Sequence, residues 1–222
     1  MKQTTPLTIT NCQVIASTGA AKGAVRLVDG MIDAVGDLAA QQGDDVLDAK
    51  GKFIAPGLVD LGVFSVDKPA FHFGGVTRAA LMPDQSPPLD LPSRVSYIAK
   101  SGKPDLWVHP LAAATRDLGG QQLAELSLMK EAGARGVSTG RSWIADSGVM
   151  LRLMQYAAML DLVVVSHAED SGLSGDASAT AGEMASRLGL SSAPAEAEAL
   201  AVARDIALAE MSGARLHIRQ VT

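Results

Sequence analysis

The chain has 222 residues, 47% of them hydrophobic and 19% charged, with a formal net charge of −5. That acidic balance argues against a nucleic-acid or anionic-membrane surface, and the apolar runs are too short and interrupted for a membrane span. A single cysteine, Cys12, excludes an internal disulfide framework and a Cys-only zinc site, and fits a reducing, cytoplasmic compartment.

The N-terminus leads into a short alternating segment and not into an apolar signal region. Residues 7–10, 25–28, 31–35 and 46–49 read as short β-strands. Asp29-Gly30 between two of them is a strong hairpin signal, and Gly51 marks the exit. From residue 54 the pattern changes to strand–helix alternation, which implies a parallel sheet. The strands fall at 58–64, 76–82, 105–110, 134–138, 162–167 and 214–220, with amphipathic helices over 121–132, 148–160 and 195–211. The first of these strands reads as buried. The link from Phe64 to Val76 is expected to be too short for a helical crossover, with Pro69 breaking it further. The nine methionines are scattered and read as core filler. No Gly-x-Ser-x-Gly elbow, P-loop or Rossmann fingerprint appears. Ser166 and His167 are strand neighbours facing opposite sides, so they are not a nucleophile–base pair.

Several ordered motifs carry a family likeness. Ala55-Pro-Gly-Leu-Val-Asp-Leu begins a strand that would deliver positions 62 and 64 to one face. Met82-Pro-Asp-Gln-Ser-Pro-Pro follows, then His109-Pro-Leu-Ala-Ala-Ala-Thr with Leu126-x-x-Met-Lys-Glu-Ala-Gly-Ala. Further along come Ser166-His-Ala-Glu-Asp170, Glu183-Met-Ala-Ser-Arg-Leu-Gly-Leu, Pro194-Ala-Glu-Ala-Glu and Ala203-Arg-Asp-Ile-Ala-Leu-Ala-Glu. Together, over nearly the whole chain, these resemble class I dihydroorotase, the aspartate carbamoyltransferase-associated type, of the amidohydrolase superfamily. The resemblance implies an α/β fold: a TIM-type (β/α)8 metallo-dependent hydrolase barrel over residues 54–222, with a β-sandwich accessory part over residues 1–53. A complete barrel takes roughly 250 residues. The six strands found here would be its N-terminal part, and the remainder is expected to exist beyond residue 222.

Family positions can be taken one by one. The resemblance places a His-x-His metal pair on the first strand, where this chain has Gly62 and Phe64, and a substrate arginine shortly after, where it has Val66. A shifted alignment would use His72, but no second histidine sits two residues away. On the second strand a substrate-holding asparagine is replaced by Asp84, which accepts hydrogen bonds but lacks the amide donor. On the fourth strand Thr139 and Gly140 stand where metal aspartates belong, and Arg135 and Arg141 would disfavour a cation. His167 is the one retained metal candidate, followed by Glu169 and Asp170. On the sixth strand Gln220 replaces the ligand histidine, while His217 keeps a position expected to pack and hydrogen-bond. A hydrolytic metal normally has three or more protein ligands, so one imidazole is far too few.

With these departures, the resemblance implies a dihydroorotase-like protein of pyrimidine biosynthesis that has lost catalysis. It would have no catalytic residues and no metal, and would support the assembly of aspartate carbamoyltransferase as part of an oligomer. The alternative is an active dihydroorotase or related cyclic amidohydrolase. That enzyme would cleave the C–N bond of a cyclic amide at a reduced zinc site built on His167, Asp84 and residues past 222.

Overall fold

The computed structural model describes residues 5–221. The chain forms two compact units, residues 1–57 and 58–222.

The first unit is a sheet of five strands: β1 (Leu7–Ala16), β2 (Gly19–Val28), β3 (Met31–Gly36), β4 (Asp45–Asp48) and β5 (Phe53–Ile54). Its order is β3-β2-β1-β4, with β5 also pairing β1. The β2–β3 turn is the expected Asp29-Gly30 hairpin, both residues having positive φ. β1 runs well past the stretch its sequence suggests. A bulge between Ile9 and Cys12, with Asn11 at φ 51°, absorbs the break in pattern and lets the strand continue. Cys12, Ala24 and Val25 are buried together with Thr8. Asp44, just ahead of β4, ties three strands. It accepts from the Thr8 hydroxyl at 2.6 Å and from Arg26 Nε and Nη2 at 2.9 Å each. Arg26 also reaches Asp33 on β3 at 2.7 Å. The Arg26 guanidinium, then the Thr8 hydroxyl, hold the Asp44 carboxyl far below the usual carboxylate range.

The second unit is a curled sheet of six parallel strands in the order β13-β10-β9-β8-β7-β6. They are β6 (Leu58–Val63), β7 (Val76–Leu81), β8 (Trp107–Ala113), β9 (Gly136–Ser138), β10 (Val163–His167) and β13 (Arg215–Arg219). Apart from β13 these are consecutive, with a small parallel pair, β11 (Ala179–Thr180) and β12 (Ser192–Ala193), inserted before the last. The helices are α1 (Lys68–Gly74), α2 (Pro92–Lys100), α3 (Leu126–Glu131), α4 (Ser147–Met159), α5 (Ser171–Ser174), α6 (Glu183–Leu188) and α7 (Glu196–Ser212). This is the open arc of a β/α barrel. No helix among the described residues is long and apolar enough to cross a membrane.

Three expectations are corrected. The link after Phe64 does contain a helix, α1. Pro69 starts it instead of breaking it, because the first turn has no use for that missing N–H. Asp67 caps the start by accepting from the Ala70 N–H at 3.1 Å, and Gly75 at φ 71° closes the end. β6 is not buried. Among the described residues it is hydrogen-bonded only to β7, with Leu58, Val59 and Leu61 more than half exposed. The third helix is shorter than its periodicity suggests. Residues 122–124 are drawn back onto 114–116 by backbone bonds, Arg116 N–H to Gln122 O at 2.9 Å and Ala124 N–H to Ala114 O at 3.2 Å.

The core lies between sheet and helices, where Leu126, Met129, Met150, Leu153 and Met154 pack against Val137 and Val164. Four methionines are fully buried in this unit, whereas Met159, Met184 and Met211 are exposed. One polar cluster is sealed within it. Asp205 of α7 has no solvent exposure. Its Oδ2 accepts from the Ser166 hydroxyl of β10 at 2.7 Å, and its Oδ1 accepts from Arg204 Nη2 at 2.6 Å. Arg204 Nη1 donates onward to the carbonyls of Ile144 and Ala145 at 2.8 and 3.1 Å, and its guanidinium stacks on Trp143 at 3.9 Å.

Two stability predictions follow from these contacts. Asp205→Ala strands Arg204 and Ser166 and is expected to cost about 3 kcal/mol or more in urea unfolding, as broken buried pairs do. Asp44 has a folded-state pKa below its unfolded value, so its contribution is fully present above pH ~4 and is lost as pH falls through the acid range. Protection factors of the β1 and β2 amides, which divide out the intrinsic slowing of exchange at lower pH, should therefore fall on acidification from pH 6 in the native protein. In Asp44→Asn they should be low throughout, with a flattened pH profile.

Candidate functional site

The strand ends that carry function in a β/α barrel are the C-terminal ones, and six of them converge here. At the end of β6 the register slips between Asp60 and Val63, where Asp60 Oδ1 accepts from the Gly62 N–H at 2.9 Å. Beyond this slip Phe64 lies half-buried over Met82, Leu111 and Val165, forming the floor of the site. The Phe64 carbonyl accepts from Gln85 Nε2 at 3.1 Å, which fixes the segment to the β7 end.

The next ends are occupied by structural bonds. Asp84 Oδ1 accepts from the Arg141 N–H at 2.9 Å. The same oxygen lies 2.8 Å from where a Cβ on Gly140 would stand, and Gly140 has φ +73°, so this position admits no side chain without displacement. Thr139 is buried, and its Oγ1 accepts from the His167 N–H at 3.1 Å, stitching β9 to β10. His167 Nε2 lies 3.4 Å from Glu169 Oε2. Two atoms here are buried with no partner among the described residues: His167 Nδ1 and Asp84 Oδ2.

The end of β13 holds the unexpected group. Gln220, expected at a ligand position, lies just past the strand, exposed and at φ 59°. Arg219 turns inward instead. Its Nη2 lies 3.2 Å from the place where a Gly62 side chain would begin, and its Nη1 is buried without a partner. The Arg219 guanidinium is 5.1 Å from the Phe64 ring centroid, and that of Arg141 is 3.9 Å from it. Two cations thus converge on one aromatic ring.

The family model described as "Dihydro-orotase-like" matches residues 51–222. The dihydroorotase of Pelotomaculum thermopropionicum is 41% identical over 212 residues, covering 89% of this chain and 49% of that one. The dihydroorotase of Ruminiclostridium cellulolyticum is 36% identical over 210 residues, covering 88% and 49%. The chain belongs to the dihydroorotase-like family. It spans about half the length of these relatives. Among solved structures, the L-hydantoinase (dihydropyrimidinase) of Arthrobacter aurescens superposes with a TM-score of 0.78 at 22% identity, covering 97% of this chain and 52% of that one. A D-hydantoinase (dihydropyrimidinase) from Thermus sp. gives 0.69 at 22% identity, covering 96% and 51%. At that identity the likeness speaks to the barrel architecture.

Within this dihydroorotase-like arc, the residues present do not fit a divalent metal. Guanidiniums stand beside Gly62 and Phe64, where the family likeness calls for two imidazoles. No group of three or more His, Cys, Asp or Glu among the described residues could hold a metal ion. His72 lies on the exposed side of α1, in edge-to-face contact with Phe73, and Val66 packs against the core. His217 makes no hydrogen bond to a described residue, contrary to expectation. It lines a cavity of about 310 Å³ inside the arc with His109, Arg135, Leu111 and Val165. Burial, then Arg78, Arg135 and Lys103, lowers the His109 pKa below its ordinary 6.5 and favours the neutral ring.

Arg219 is the site residue that motif reading passes over. The available signal was its spacing: it lies two residues after His217 on one strand, so both point into the arc. Restoring a carboxylate at the fourth strand should be costly. Gly140→Asp is expected to destabilise the fold by roughly 2 kcal/mol, through left-handed strain and a collision with Asp84, as read by thermal and urea unfolding.

Proposed function

We propose that this dihydroorotase-like chain does not perform metal-dependent hydrolysis, and that it serves in pyrimidine biosynthesis as a cytoplasmic assembly partner of aspartate carbamoyltransferase. The observation that carries the reading is the Arg219 guanidinium against Gly62, with Arg141 over Phe64. Opening a cyclic amide needs an activated water, which a metal supplies by lowering its pKa to near 7. Two fixed positive charges and an aromatic floor oppose a cation at that place. His167 is engaged with Glu169, and Thr139 with the backbone of β10, so the strand ends act as scaffold. What remains useful is the surface of the barrel. The partnership itself rests on family likeness.

A second reading has its own support. His167 Nδ1 and Asp84 Oδ2 are buried and unpaired, and they could join residues outside the described chain to hold one zinc ion. The protein would then be an active dihydroorotase or a related cyclic amidohydrolase. The whole protein, purified after growth with zinc, separates the two. Elemental analysis should find well under one metal per chain, and dihydroorotate hydrolysis should stay at background with zinc or manganese added. Size-exclusion chromatography with aspartate carbamoyltransferase from the same cell should give a stable complex. One tightly held zinc per chain with turnover abolished by His167→Ala would establish the second reading.

A further inference from the structure

We propose that Arg219 and Arg141, over the ring of Phe64, form a binding site for a small oxyanion at the mouth of the arc. The inference rests on the reading that no metal occupies that place.

Five of the eleven arginines have a carboxylate partner among the described residues. Arg26, Arg94, Arg116, Arg204 and Arg215 each lie within ion-pair distance of a carboxylate. Arg219 and Arg141 are among the six with none, and they are the two arginines that stand against one ring, 5.1 and 3.9 Å from the Phe64 centroid. Arg204 makes the sharpest contrast. It is also partly sheltered, and its Nε, Nη1 and Nη2 all donate to acceptors. Arg219 Nη1 is removed from water and donates to no described residue. A buried donor without an acceptor is destabilising, and two like charges brought to one ring repel, so the arrangement calls for an acceptor with negative charge.

The nearby acids do not meet that need. Asp84 Oδ1 accepts from the Arg141 backbone and its Oδ2 bonds neither guanidinium, while Glu169 faces His167. Guanidinium forks match planar carboxylates and phosphoryl oxygens alike. Glycine at position 62 is what makes room, since a side chain there would meet the Arg219 fork at 3.2 Å.

Calorimetric titration of the whole, metal-free protein with inorganic phosphate, and separately with succinate, at constant ionic strength tests the site. One saturable equivalent is expected for at least one probe. Binding by phosphate alone assigns a phosphoryl ligand, and binding by succinate alone assigns a carboxylate. Arg219→Gln should weaken binding at least tenfold and Arg219→Lys less. Arg187→Gln, which removes the same charge from the exposed surface of α6, should leave it unchanged. Arg141→Gln, at an exposed residue, gives a second tenfold loss should the Arg219 variant prove unstable. No saturable binding, or equal weakening by Arg187→Gln, overturns the inference. That failure in a metal-free, inactive protein leaves the proposed function standing, whereas binding that appears only after zinc is loaded overturns both.

Discussion

The carboxylate of Asp205 is the constraint around which the barrel arc is arranged. It lies out of solvent, yet it joins the last long helix to β10, the neighbour of β13, through Ser166 and to the segment ahead of α4 through Arg204. A charge in that position is tolerable only if its partners stay in place, so it fixes where α7 can sit. α7 in turn feeds β13, the strand that brings Arg219 to the mouth. The position of one buried acid therefore bears on the character of the site at the far end of the following strand.

The site inverts the usual electrostatics of such a barrel. A metal centre concentrates acceptors around a cation. Here the strand ends concentrate donors and positive charge around an aromatic floor. Phe64 is central to that inversion. Its ring fills the apolar space above Met82, Leu111 and Val165, and its face supports both guanidiniums. The remaining polar groups are consumed in holding strand to strand, as Thr139 does for β10 and Asp84 does for the loop after β9.

Most of the architecture could be read from the chain because hydrophobic period and turn residues agree locally. The six parallel strands fall where the alternation placed them, and Asp29-Gly30 turns as that pair must. The failures share a physical cause. Proline at the start of a helix and proline within one look alike along the chain, and what distinguishes α1 is the Asp67 cap bonded to the Ala70 N–H. Residues 121–125 have helical spacing but are claimed by longer-range backbone bonds. β6 reads as buried because its residues are apolar, while burial depends on what pairs with it. At the site, absent ligands were visible as letters, but what replaced them was not. Arg219 matters through the space left by Gly62, which lies far away in sequence, and no pattern along one strand encodes that proximity.

Gly140 carries a consequence for redesign. With Asp84 bonded to the neighbouring amide and crowding the missing Cβ, a side chain added there obliges Asp84 to move. A side chain at position 62 likewise displaces the Arg219 fork. Single substitutions at these positions therefore collide with neighbours that only a second substitution can clear. A metal centre could be built at these strand ends only as a concerted set of changes, in which Asp84 and Arg219 give way together with the glycines they crowd.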